Sequence, residues 1–376
     1  MKPQRGLDRI KAYVPGKPVE EVQREYGLRE AIKLASNENP LGPPPKTVAA
    51  LQQALGRLNC YPDGQSYYLC KGLASRLGVE PEQVTVGNGA DGIILQACMA
   101  YLDDDSEVIV SESSFPVYDI YAQAMRATLV KTPVKDYGLD LDAMARAITG
   151  RTRLVFVCNP NNPTGTISTA AEVEAFMARL PDDVLAVFDE AYYEFVDSPD
   201  YPDTLRYVRA GRKNVLILRT YSKVYGLAGI RVGYAIADAE TLAPMSKVKE
   251  PFAVNLLAQV AGMAALEDEE YRVASVSANR AGRLFLYGEF DGIGLFYVRS
   301  HGNFVLVRIG PQAGQVYQGL LERGVIVRPC GGYALPEFLR ITVGDHSQNV
   351  RMVETLKTVM AEMGISGAGD AAIAGA

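Results

Sequence analysis

The sequence predicts an α/β fold: a large domain with a mostly parallel central sheet, joined to a smaller α+β domain. Three observations carry that prediction. Between about residues 80 and 236, short β-rich runs alternate with helical stretches, and several runs hold Val, Ile, Leu or Phe at consecutive positions. Such continuous apolar runs mark strands covered by helices on both faces. After residue 238 the pattern changes to long helical segments followed by three further strands. The length, 376 residues, suits about two domains of ordinary size.

The Pro-rich stretch NPLGPPP (39–45) marks a loop between an N-terminal arm, residues 1–36, and the large domain, expected over 37–250. Strands of that domain are predicted at QVTV (83–86), EVIVSE (107–112), ATLVKTPV (127–134), RLVFVC (153–158), VLAVFDE (184–190), NVLILRT (214–220) and RVGYAIA (231–237). Helical spacing runs through 239–290. The smaller domain, expected over 251–363, then takes FVLVRI (304–309), VIVRP (325–329) and FLRITVG (338–344) as strands and closes with a helix near 347–362. The tail GISGAGDAAIAGA (364–376) has too few large side chains to pack, so it is expected to be flexible.

Composition narrows the function. With 48% hydrophobic and 22% charged residues the chain reads as globular rather than disordered. Acidic residues outnumber basic ones 44 to 38, so no basic field draws nucleic acid or anionic lipid. Only two histidines occur, His301 and His346, which leaves little material for a metal site or a Ser-His-Asp relay. The five cysteines, an odd number without C-x-x-C spacing, read as reduced thiols in a cytoplasm. The N-terminus has no apolar core of a signal peptide, and the longest uncharged apolar run, 252–266, is shorter than the roughly 18–20 residues that span a bilayer.

Four segments carry chemistry. QVTVGNGADG places Gly87, Gly89 and Gly92 in a G-x-G-x-x-G pattern between a strand and a helix. A glycine turn opening a helix offers free N–H groups to any phosphate, so it licenses an anion site and no particular cofactor. The same glycines also serve a tight turn with no ligand. NPNNPTG (159–165) follows a buried strand. Asp189 ends another, where an unpaired carboxylate is costly, so it needs a partner. RTYSKVYGLAGIR (219–231) puts Lys223 just past a third strand end, with Arg231 eight residues on. Each has a plain alternative as a turn, a helix cap or a solvated charge. Together they cluster outside the carboxyl ends of the strands, where open α/β sheets bind ligands.

The set NENPLGPP, YPDG, GNGAD, NPNNPTG, DEAYYEF, RTYSKVYGLAGIRVGY, VIVRP and LRITVG, with YVPGKP at 13–18, resembles the fold-type I pyridoxal-phosphate aminotransferases, and within them the histidinol-phosphate aminotransferase family. The likeness runs from about residue 8 to 361. It implies that Lys223 forms the Schiff base with pyridoxal phosphate and that Asp189 pairs with the pyridine nitrogen. Tyr192 and Asn162 would hydrogen-bond the ring oxygen, and Phe115 would stack on the ring. Backbone N–H groups of Ala90 and Asp91, with Thr220, Ser222 and Arg231, would hold the phosphate. Relatives often carry Glu where this chain has Gly92, which removes any side-chain role there. Tyr61 of YPDG would reach the phosphate of a neighbouring subunit, which makes a homodimer with shared sites the expected assembly. Arg340, Arg328 and Tyr13 would hold the substrate's anionic end.

The activity this implies is transfer of the amino group of L-histidinol phosphate to 2-oxoglutarate, giving glutamate. Related enzymes act on phenylalanine, tyrosine or arogenate, and similar ones decarboxylate a phosphorylated amino acid. A cofactor-binding protein without turnover is disfavoured, because Lys223, Asp189 and Arg231 are all present.

Overall fold

Seven strands, each within or overlapping a predicted one, form one sheet in the computed structural model, which describes residues 6–365. The expected tail beyond residue 365 lies outside the described residues. In spatial order the strands are Val84–Asn88, Val232–Ala237, Val215–Thr220, Leu185–Asp189, Thr152–Cys158, Glu107–Ser111 and Thr128–Thr132. Only Val232–Ala237 runs against the rest, pairing antiparallel on both sides.

Strict alternation explains why the central runs are apolar on both faces. Val155, Val157, Ala186, Phe188, Val215 and Ile217 point into one core, while Leu154, Phe156, Leu185, Val187, Leu216 and Leu218 point into another. Successive strand residues face opposite sides, so both faces must be apolar when both are covered. Helices Gly89–Tyr101 and Val117–Ala124 cover the second face; Tyr67–Leu77 and Leu256–Leu266 are among those covering the first.

A second sheet, wholly antiparallel, orders Tyr297–Val298, Phe304–Arg308, Phe338–Thr342 and Arg328–Pro329. Its core is closed by the last helix, His346–Glu362, and by the far end of the 24-residue helix Glu269–Gly292, through Leu286 and Phe290. The structure differs from the expected division at 250/251. Helix Leu256–Leu266 packs on Pro45–Ala54 and Tyr67–Leu77 and buries Ala258, Ala261 and Ala265 in the large core. Helical spacing shows that a segment is a helix but not which sheet it covers. Likewise VIVRP is two strands: Val325–Ile326 pairs parallel with Ile32–Lys33 of the arm, and only Arg328–Pro329 joins the second sheet. No helix among the described residues is long and apolar enough to cross a membrane.

Candidate active site

The C-terminal ends of three adjacent strands, Thr152–Cys158, Leu185–Asp189 and Val215–Thr220, meet the start of helix Gly89–Tyr101 around a cavity of about 470 Å³. Cys158, Asp189 and Thr220 are the last residues of their strands and share one sheet face, so alternation sends all three side chains the same way. Opposite them, Arg340 enters the cavity from the second sheet, so the site lies between the two sheets.

Asp189 is buried. Its Oδ2 accepts from the Tyr118 hydroxyl at 2.5 Å and its Oδ1 from the Ala191 amide at 3.1 Å. It makes no ion pair among the described residues, and burial pushes its carboxyl up to about 6, against the pull of the Tyr118 bond. Lys223 lies in the turn after Val215–Thr220, and its Nζ donates to the Ser36 carbonyl at 3.1 Å. Burial, helped by the Arg340 guanidinium, brings it down to about 8. Tyr192 is buried with its hydroxyl accepting from Asn37 Nδ2 at 2.9 Å, and burial holds it well above the usual tyrosine range. Asn162 accepts from Arg340 Nη1, and Arg340 Nη2 donates to the Ala35 carbonyl at 2.7 Å.

At the helix end, Ala90 and Asp91 line the cavity beside Thr220, Ser222 and Arg231. The Thr220 hydroxyl donates to Ser222 Oγ at 3.0 Å, and Arg231 Nη2 pairs with Asp91 at 3.1 Å. Gly89 has φ +72, and a Cβ there would lie 2.4 Å from Arg231 Nη2, so this turn admits only glycine if the arginine is to reach the helix start. Gly92 faces open space beside Asn88. Phe115 and Tyr13 complete the wall, their rings edge-on at 6.4 Å.

Two expected residues stand apart. Tyr61 is 82% exposed and stacks on Phe252 at 4.5 Å, away from the cavity. Arg328 is not among the lining residues; its Nη1 donates to the Val14 carbonyl at 2.6 Å and its guanidinium lies 5.2 Å from the Tyr13 ring. Sequence reasoning missed Tyr118, the partner of Asp189, and Asn37, the partner of Tyr192. Tyr118 lies in the first turn of helix Val117–Ala124, and nothing in its local sequence sets it apart from a core aromatic. Among the described residues no group of three or more His, Cys, Asp or Glu is placed to hold a metal ion.

The family model for aminotransferase class I and II matches residues 29–356. The chain belongs to that family. Among its relatives, a histidinol-phosphate aminotransferase of Moorella thermoacetica is 49% identical over 352 residues, which is 94% of this chain and 91% of the relative. Another, from Brevibacillus brevis, is 44% identical and covers 96% and 99% of the two chains. A solved histidinol-phosphate aminotransferase from Sinorhizobium meliloti, in complex with pyridoxal 5'-phosphate, superposes with a TM-score of 0.89 at 27% identity, over 96% of this chain and 99% of that one. A Thermus thermophilus aspartate aminotransferase with maleate shares the fold, with a TM-score of 0.83 at 24% identity and 96% and 100% coverage. Family membership and these superpositions bear out the α/β, fold-type I architecture that the resemblance implied.

Proposed function

We propose that this enzyme is a pyridoxal-phosphate-dependent histidinol-phosphate aminotransferase, moving the amino group of L-histidinol phosphate to 2-oxoglutarate. The observation that carries the substrate is the 49% identity, over nearly the full length of both chains, to a relative of that activity. The cavity's own residues fit the cofactor. Asp189 is a buried carboxylate without a cation, the complement of a protonated pyridine nitrogen. Ala90 and Asp91 at a helix N-terminus, with Thr220, Ser222 and Arg231, would hold its phosphate. Asn162 and Tyr192 would bond the ring oxygen and Phe115 would cover the ring.

When bound, pyridoxal phosphate supplies an aldehyde that takes up the substrate's amine and a cationic ring that accepts the electron pair left as the Cα–H bond breaks. Lys223 would hold the aldehyde between turnovers, and its free amine would carry the proton. With its amine brought down to about 8, a useful fraction is neutral near physiological pH. Arg340 binds the anionic end of both substrates, and its Nε has no partner within the described chain. Arg328 stands directly opposite Arg340 across paired strands. Like charges so placed repel, and an anion between or beside them relieves that repulsion.

The enzyme works in the cytoplasm as a homodimer in which Tyr61 reaches the partner's phosphate site. In support, Tyr61 and Phe252 stack on the surface and line a groove with the exposed Leu58, an apolar feature suited to a second copy.

The test is single-turnover bleaching of the visible absorption band by separate amino donors. Glutamate and histidinol phosphate should each bleach it, and Lys223→Ala should turn over neither. If phenylalanine or tyrosine reacts while histidinol phosphate does not, the substrate assignment falls.

A further inference from the structure

Residues 35–39 cross from the small domain to the large one and lie against most of the groups named above. Asn37, at φ 56 in the left-handed region that Asn tolerates, is 1% exposed and lines the cavity. Its backbone N–H donates to Thr342 Oγ1 at 3.0 Å, and the Thr342 hydroxyl donates back to Asn37 Oδ1 at 3.0 Å. Its Nδ2 donates to the Tyr192 hydroxyl at 2.9 Å, and its carbonyl accepts from Asn303 Nδ2 at 3.0 Å. Thr342 is two residues beyond Arg340 on the same strand.

Donor counting favours one polarity for this chain of bonds. A hydroxyl has one proton to give. Thr342 Oγ1 receives the backbone N–H and gives its one proton to Asn37 Oδ1, with the amide nitrogen turned toward Tyr192. The reversed amide would leave the buried Thr342 hydroxyl without this acceptor, at a penalty typical of an unsatisfied buried donor. Tyr192 therefore receives a proton from Asn37, and its own is free to point into the cavity. Burial, which holds this phenol protonated, agrees with that role.

We propose that Asn37, held by Thr342, is a positioning residue that makes Tyr192 a hydrogen-bond donor to the cofactor's ring oxygen and ties that donor to the strand bearing Arg340. This rests on the pyridoxal-phosphate reading above. A donor on the ring oxygen shares negative charge that would otherwise hold the proton on the neighbouring lysine–cofactor nitrogen. Losing the donor moves the titration of the visible band to higher pH.

The experiment is a pH titration of that band in the purified holoenzyme. Asn37→Asp keeps the size but only accepts at neutral pH, so it turns the Tyr192 proton away from the cavity. The midpoint should rise by about one pH unit, a tenfold change in proton affinity. Thr342→Val frees the amide to reverse and should shift the midpoint the same way by less. The new charge in Asn37→Asp is separated from polarity by repeating it in a Tyr192→Phe background, where a polarity effect vanishes and a charge effect persists. An unshifted midpoint in Asn37→Asp, or an equal shift in both backgrounds, overturns the proposal. If Asn37→Asp does not fold, an unshifted midpoint in Thr342→Val does so. A wild-type enzyme with no visible band would instead sink the cofactor reading, which keeps the two failures distinct.

Discussion

Two buried carboxylates, adjacent in sequence at the end of one strand, face opposite sides of the sheet and meet opposite surroundings. Glu190 turns away from the cavity, where its Oε2 receives Arg219 Nε at 2.9 Å and Nη2 at 2.8 Å, and its Oε1 receives the Thr204 hydroxyl. The Arg219 guanidinium is itself seated 3.7 Å from the centre of the Tyr193 ring. Asp189 faces the cavity with one hydroxyl, one amide and no cation. A third carboxyl, Glu194, shows the remaining solution: burial pushes it up to about 8, so it stays protonated at neutral pH and needs no counter-charge. The difference separates architecture from function. Behind the sheet the chain closes its own electrostatics, whereas at the cavity it leaves a charge open for a ligand to complete.

The comparison breaks first on stability. Arg219→Met strands Glu190 in the core and should cost about 3–5 kcal/mol, read as a lowered midpoint of unfolding in the cofactor-free protein. Asp189→Asn should do the reverse. The folded-state pKa of Asp189 is raised to about 6, so its contribution is fully present below about pH 4 and is lost as pH rises through about 6. Asparagine should therefore stabilise the cofactor-free protein at pH 7 by up to ~3 kcal/mol, with the gain fading by pH 4, while transamination collapses. If both substitutions destabilise alike at pH 7, the two carboxylates are not different in kind.

The sequence makes the sheet and the floor of the open side legible, because both follow from strand alternation, whereas the pairing of Glu190 with Arg219 has no local mark. A continuous apolar run implies a doubly covered strand, and a charge at its end must be answered. What hides is whatever depends on a distant partner. Thr342 is 305 residues from Asn37, and nothing local marks the pair. Tyr118 reads as an ordinary buried aromatic of helix Val117–Ala124. VIVRP looks like one strand because apolarity does not name the neighbour, and helix Leu256–Leu266 looked like small-domain material for the same reason. The role proposed for Tyr61 needs a second chain, and within one chain it is an exposed ring stacked on Phe252.

Arg340 extends the idea of an open charge to the other wall. It is buried, held by Asn162 and the Ala35 carbonyl, with its Nε unmet. Lysine keeps the charge but loses the planar fork that meets carboxylate and phosphate with paired bonds. Arg340→Lys should lower kcat/KM for histidinol phosphate and for glutamate by at least about tenfold, equivalent to ~1.4 kcal/mol. An unchanged kcat/KM with both substrates would make Arg340 part of the closed architecture instead.

The smallest expected effect lies at Tyr118, the neutral group that keeps Asp189 in place while its charge stays open. Its ring stacks on Phe156 at 4.4 Å and meets Phe115 edge-on at 5.6 Å, so Tyr118→Phe keeps the packing and removes only the hydroxyl. That bond holds the Asp189 carboxyl down, and without it the group protonates at higher pH. With the cofactor's ring nitrogen and the Ala191 amide still engaged, the net loss should be about 0.5–1 kcal/mol, a fall in kcat of about two- to fivefold. The acid limb of the kcat/KM profile should move to higher pH by less than about one unit, because the role proposed for Asp189 requires its ionised form. A lower kcat with an unmoved acid limb would mean that Tyr118 acts only through packing, and Asp189 would then be held open by the sheet end alone.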